Sequence, residues 1–248
     1  MKIAILSDIK SNVYALEEVI NDAKKKKVDV MLNLGDSFYG PIEPKKTYDL
    51  LRNNQFITLC GNEDRKILEA TPAQLEENDT LRYVYNDLND DILHWIQDLP
   101  FEKLIGDDYY MIHGTYQDDS LYLLEDVTSG KAILREDKKI LEILDDITSK
   151  FVFCGNSCIP RCSNLSSGQV VINPGAVGLQ AFKESYPVDH IIENNTTDAS
   201  YVILTVENNE YSIELVKVIY DTEKAALKAI ENGRDDWAYS LRTGKVIN

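Results

Sequence analysis

Short apolar runs alternate with helical periodicity through the first half of the chain. Ile3–Leu6, Val28–Leu34 and Phe56–Cys60 read as strands. Between them, Val13, Leu16, Val19, Ile20 and Ala23 form a one-sided stripe within a helix spanning Ser11–Lys27, and a second helix covers Lys45–Asn53. That rhythm is βαβαβ and predicts a largely parallel sheet. Leu81–Leu99 reads as one longer amphipathic helix stopped by Pro100. Strands then recur at Tyr109–Ile112, Phe151–Cys154 and Val170–Ile172, with a helix around Glu136–Ile147 and shorter connections, so a second sheet is expected. Tyr186–Asp198 is polar and turn-rich. Tyr201–Val206 and Tyr211–Val218 flank Glu207–Glu210 as an antiparallel hairpin, and Thr222–Glu231 is helical.

Composition fits this picture without altering it. The 248 residues are 44% apolar and 27% charged, an ordinary globular balance, with no repeat or composition break to divide residues 1–248 into two domains. The formal charge of -16 opposes a nucleic-acid backbone. The one basic run, Lys24–Lys27, closes a helix, where cations suit the dipole, so duplex binding is not expected. Cys60, Cys154, Cys158 and Cys162 are too few and too uneven for a disulfide framework. Met1 leads directly into a strand, and no apolar run approaches the ~20 residues that span a bilayer. The expectation is a cytoplasmic protein without a membrane segment.

The polar residues that break the periodicity fall at strand ends, where open α/β sheets bind ligands. They are Asp8, Gly35-Asp36, Gly61-Asn62-Glu63-Asp64, His113-Gly114, Gly155-Asn156-Ser157-Cys158 and Asn173-Pro174-Gly175. Taken singly, Asp8, Asp36 and Asn62 are better explained as turn or cap residues. Three in order, each closing an apolar strand, point instead to a shared site. Carboxylates, a carboxamide and an imidazole together suit manganese, iron, magnesium or zinc. A carboxylate bridging two ions about 3.5–4 Å apart would prepare a phosphoester for in-line hydrolysis. His94, inside an amphipathic helix, and His190, in a polar loop, read as structural or solvent-facing, and Cys154 and Cys162 as core or loop residues. Ile9-Lys10-Ser11 lacks the glycines of a triphosphate-binding loop, and the first strand–helix turn lacks the dinucleotide fingerprint.

In order and context these segments resemble the calcineurin-like metallophosphoesterases, in particular their compact bacterial and archaeal phosphodiesterase-like branch. The family pattern Asp-x-His, Gly-Asp, Gly-Asn-His-Asp/Glu, His-Gly, Gly-His-x-His is matched here by Asp8-Ile9-Lys10, Gly35-Asp36, Gly61-Asn62-Glu63-Asp64, His113-Gly114 and Gly155-Asn156-Ser157-Cys158. Tyr39-Gly40-Pro41 and Asn173–Gly178 support the likeness. The resemblance implies an α/β fold, a four-layer α/β/β/α sandwich with two mixed β-sheets, and one or two divalent ions (Mn, Fe or Zn) acting on a small phosphoester or phosphate anion. It implies Asp8, Lys10, Asp36 and Cys158 around the first ion, and Asp36, Asn62, His113 and Asn156 around the second. Lys10, Asn156 and Cys158 stand where the family has histidine. An ammonium cannot ligate, so the second ion is expected to survive better, with Lys10 replacing the first electrostatically. Glu63 occupies the position of the family's leaving-group acid and, being a carboxylate, donates a proton poorly at neutral pH unless burial raises its pKa. The resemblance therefore leaves open a slow phosphoesterase and a catalytically degenerate relative with a regulatory or ligand-binding role.

Overall fold

The computed structural model describes residues 1–247. Alternation of core-facing and helix-facing residues sets the first strand, β1 (Lys2–Leu6), whose four last residues are all buried. Asn12 caps the helix after it, accepting a hydrogen bond from the Ala15 amide (3.2 Å). The order continues as α1 (Val13–Lys25), β2 (Val30–Asn33), α2 (Pro44–Asn53) and β3 (Ile57–Thr58). Short helices α3 (Asn62–Leu68), α4 (Pro72–Glu77), α5 (Asp79–Asp87) and α6 (Asp90–Gln97) precede β4 (Glu102–Ile105), β5 (Tyr109–Ile112), β6 (Glu125–Asp126) and β7 (Ile133–Leu134). Then come α7 (Asp137–Leu144), β8 (Phe151–Phe153), β9 (Arg161–Asn164), β10 (Val170–Asn173), β11 (Ala181–Glu184) and β12 (His190–Glu193). The hairpin of β13 (Ala199–Glu207) and β14 (Glu210–Val218) leads to α8 (Thr222–Glu231) and α9 (Asp235–Thr243).

Two five-stranded mixed sheets result, ordered β14-β13-β1-β2-β3 and β4-β5-β8-β10-β9. In the first, β1, β2 and β3 run parallel and β13 pairs antiparallel to β1. In the second, β5, β8 and β10 run parallel, bordered by antiparallel β4 and β9. The two-residue period divides each strand between two cores. Ile3, Ile5, Leu32 and Leu34 meet Met111, Phe151, Phe153 and Ile172 between the sheets. Ala4 and Leu6 face the other way, toward Leu16, Val19 and the rest of the helical layer on the first sheet. Ile112, Val152 and Val171 face Ile140 and Leu144 of α7 on the second. The layers are therefore α/β/β/α, as the family resemblance of the strand ends implies.

Local departures from the sequence reading have local causes. The expected helix Leu81–Leu99 is two helices, because Leu88 turns extended (ψ 133°) and Asn89 caps a new start by accepting from the Ile92 amide at 3.0 Å. The apolar periodicity runs across that break and hides it. The polar stretch Tyr186–Asp198 contains strand β12, paired with β11, so His190 lies buried on a strand rather than in a loop. The β13–β14 hairpin turns through Asn208 (φ 50°) and Asn209 (φ 65°), the left-handed pair that a tight hairpin requires. Asp235–Thr243 forms a last helix that the sequence reading did not anticipate. Among the described residues, no helix is long and apolar enough to cross a membrane.

Candidate metal centre

The site assembles where loops from both sheets meet. The β1 loop is laid on the β2 loop by three successive backbone bonds: the amides of Asp8, Lys10 and Ser11 donate to the carbonyls of Gly35 (3.1 Å), Asp36 (3.0 Å) and Ser37 (2.9 Å). This stitching holds Asp8, Lys10, Ser11 and Asp36 at φ between 53° and 56°, while Asn156 and Cys158 stand at 65° and 58°. Non-glycine residues resist that region at a cost on the order of 1–2 kcal/mol each. Six such residues in three neighbouring loops mark a place where side-chain direction outweighs backbone comfort. The loop between β8 and β9 joins through the Gly155 amide, which donates to the His113 carbonyl at 2.7 Å.

Glycine is required where these loops touch. A Cβ on Gly61 would collide with the Asp36 carboxylate and amide, and one on Gly155 with the Ser7 hydroxyl. Asp64 fastens the same junction, accepting from the amides of Ser37 (2.9 Å), Phe38 (3.0 Å) and Gly61 (3.2 Å). Burial and the nearby Asp36 carboxylate push its pKa up to about 6 against those donors.

Around this frame the ligand-type atoms converge. One oxygen each from Asp8 and Asp36 and a ring nitrogen of His113 lie within 4.8 Å of one another, all buried. The Nδ1–H of His113 donates to the Leu34 carbonyl (2.9 Å), which directs Nε2 toward Asp36 Oδ2 at 3.4 Å. Asp36 Oδ1 accepts from the Glu63 amide at 2.9 Å. Asp8 Oδ2 accepts from the Ser7 hydroxyl (2.7 Å) and the Asn156 amide (3.1 Å). Asp8 Oδ1, Asn62 Oδ1 and His113 Nε2 are buried without any hydrogen bond. Buried polar atoms are normally partnered, so the Asp8, Asp36 and His113 cluster, with the unpartnered Asn62 Oδ1, fits a divalent cation that prefers oxygen and imidazole donors.

The Lys10 ammonium occupies the neighbouring position. Its Nζ lies 2.6 Å from Asp36 Oδ2 and 3.3 Å from Asp8 Oδ1, and it also bonds Glu63 Oε2. Burial alone would deprotonate it, yet the carboxylates of Asp36, Glu63 and Asp8 hold its pKa well above the usual lysine range. Burial likewise opposes ionisation of Asp36, but His113 and Lys10 keep that carboxyl well below the usual carboxylate range. Burial would depress His113, and the Asp36 carboxylate reverses this to about 9. Glu63 is pushed up to about 7 by burial, against the pull of Lys10.

The remaining predicted residues divide. Asn156 reaches the site edge, its Nδ2 donating to the Asp119 carbonyl (2.9 Å), which leaves its amide oxygen available. Cys158 does not join the converging atoms. Its thiol donates to the Asn156 carbonyl (3.6 Å), and burial, then the Asp8 carboxylate, raises its pKa well above the ordinary thiol value. The resemblance implies it as a ligand of the first ion, but in this arrangement its thiol is turned to a backbone carbonyl. Cys154 lies in the core, Cys162 is exposed, and all four cysteines are free. His94 is exposed on α6, and His190 Nε2 pairs with the Tyr122 hydroxyl at 2.9 Å.

Above the centre opens a cleft of about 880 Å³ whose floor includes Lys10, Asp36, Asn62, Glu63 and Asn156. Its walls include Tyr39, Phe182, Arg234 and Trp237. Tyr39 belonged to a motif visible in the sequence; the other three carried no signal, because only folding brings the C-terminal residues to the site.

An α/β/β/α sandwich with acidic and imidazole donors gathered where its sheets meet defines a metallophosphoesterase scaffold. Residues 1–209 match the model of the calcineurin-like phosphoesterase superfamily domain, and the chain belongs to that superfamily. It is 26% identical over 261 aligned positions to an uncharacterized protein of Methanocaldococcus jannaschii, covering 95% of this chain and 94% of that one. Among solved structures it is similar to a metallophosphoesterase from Sphaerobacter thermophilus, with a TM-score of 0.77, 22% identity, and 98% and 100% of the two chains covered. It is also similar to a hypothetical protein from Pyrococcus horikoshii OT3, with a TM-score of 0.76, 15% identity, and 99% of each chain covered. At those identities the two structures speak for the fold.

Proposed function

We propose that this protein is a phosphoesterase that works with one divalent ion, manganese, iron or zinc, and uses the Lys10 ammonium in place of a second. The observation that carries the reading is the buried convergence of Asp8, Asp36 and His113 within 4.8 Å, with Asn62 Oδ1 lacking a partner and a lysine beside Asp36 held charged by three carboxylates. The ion, when bound by Asp36, Asn62, His113 and the Asn156 amide oxygen, supplies charge stabilisation to phosphoryl oxygens and activates water for attack. The chain's own groups do the rest. Asp36, fixed by the Glu63 amide and by Lys10, orients the ligand set. Lys10 adds a fixed positive charge at the phosphoryl end. Lys10 engages Glu63 Oε2, which leaves Oε1 to hold a proton and release it to the departing oxygen.

A second reading has its own support: Lys10 is already bound by Asp8, Asp36 and Glu63, so a catalytically degenerate protein that retains an anion-binding cleft satisfies the same contacts. Metal analysis of protein purified without chelator, combined with hydrolysis of an aryl phosphodiester under manganese, iron and zinc, separates the two. The phosphoesterase reading expects close to one ion per chain, lost in His113→Ala, and metal-dependent turnover, with weaker inorganic phosphate binding in Lys10→Ala. A protein with neither metal nor turnover is the degenerate relative.

A further inference from the structure

The cleft has room for roughly thirty waters at their share of liquid volume. A phosphoryl group on its floor fills a small part of that, and the whole falls in the range of sites that enclose a drug-sized organic molecule. Part of the remainder is ring and aliphatic surface, from Tyr39, Phe182 and Trp237 with Leu179 and Val246, set among charged and polar side chains such as Lys66, Glu69, Glu184 and Arg234. Tyr39 and Phe182 are half-buried and Trp237 is 8% exposed, so all three rings that line the cleft are held by packing rather than free in solvent.

Trp237 and Val246 lie beyond the stretch 1–209 that matches the superfamily. They are nevertheless firmly placed against the catalytic loops. Asn232 donates to the Pro41 carbonyl (2.9 Å), at the end of the turn that carries Tyr39, and Asn12 donates to the Tyr220 hydroxyl (3.1 Å) just ahead of α8. Arg234 is clamped bidentately by Asp236 (2.8 and 2.7 Å), bonds the Thr80 hydroxyl, and lays its guanidinium 5.6 Å above the Trp237 ring. The tryptophan is therefore fixed before any ligand arrives.

We infer that this C-terminal segment makes the site selective for phosphoesters whose organic group is a planar aromatic ring, with Phe182 and Trp237 as the residues that select it. The phosphoryl end of that substrate rests on the phosphoesterase reading above; the ring preference does not. Aromatic pairs gain from offset and edge-on contact beyond the area they bury, so a planar ring is favoured over an alkyl group of the same charge. A nucleobase and a simple aryl group share this chemistry.

Calorimetry on the full chain loaded with manganese, comparing phenylphosphonate with methylphosphonate, tests the preference without requiring turnover. Phenylphosphonate is expected to bind at least tenfold more tightly, and that ratio is expected to fall at least fivefold in Trp237→Ala. Phe182→Ala, at a half-buried strand position that tolerates truncation better, is expected to lower it in the same direction. Adenosine 5′-monophosphate binding more tightly than phenylphosphonate identifies the ring as a nucleobase; equal affinity identifies a simple aryl group. A wild-type ratio below two, or no binding of either phosphonate, overturns the inference. Absent hydrolysis with the ratio intact overturns only the phosphoesterase reading.

Discussion

At the scale of single residues, the centre is a balance of buried charges in which each group's protonation is set by its neighbours. His113 shows this most directly. Its Nδ1–H is committed to a backbone carbonyl, and Asp36 raises its pKa from an ordinary 6.5 to about 9. In metal-free protein the folded state therefore binds a proton more tightly than the unfolded chain. The stabilisation is complete below about pH 6.5 and disappears as pH rises through about 9. Thermal unfolding in chelator at pH 6 and pH 9.5 should show a larger loss of Tm in wild type than in His113→Gln; parallel losses would mean that Asp36 does not hold this proton. The same balance explains why the family's histidine pattern was readable as far as Asp8, Asp36, Asn62 and His113, while the state of Glu63 was not. A glutamate's pKa depends on how deeply folding buries it, and no neighbour in sequence reports that.

At the scale of elements, the strand-end loops work because they approach more closely than side chains normally permit. Gly61 precedes α3 and lies directly against Asp36, whose carboxylate cannot retreat because Lys10 and His113 hold its other side. Gly61→Ala should therefore destabilise the protein by about 1–3 kcal/mol in urea unfolding and weaken cation binding by calorimetry. Wild-type cation affinity in that variant would show that the loop spacing does not set the carboxylate. The strands that feed these loops were legible because alternating apolar runs end abruptly in Gly-Asp, Gly-Asn or His-Gly. The division of Leu81–Leu99 into α5 and α6 was not, because the apolar stripe continues past the Asn89 cap and both helices bury it in the same layer.

At the scale of the whole molecule, the site depends on the registration of two sheets. Asp8 and Asp36 follow strands of one sheet, and His113 and Asn156 follow strands of the other. Phe153 fills the layer between them, whereas Leu144, on α7, packs on the outer face of the second sheet. Phe153→Ala and Leu144→Ala should each cost about 2–5 kcal/mol. Only Phe153→Ala is expected to weaken cation affinity as well, measured where both variants remain folded; equal affinities would place the registration elsewhere. The sequence by itself determined the strand-and-helix rhythm and the donor residues at the strand ends, because these follow from local periodicity and from residue types that interrupt it, and the family resemblance of those strand ends implied the four-layer class. Only the tertiary structure decided that Lys10 is bound by three carboxylates, that the buried Cys158 thiol meets the Asn156 carbonyl, and that Arg234 and Trp237 wall the cleft. Burial and proximity between distant segments set each of these, and both come into being when the two sheets and the C-terminal helices close on one another.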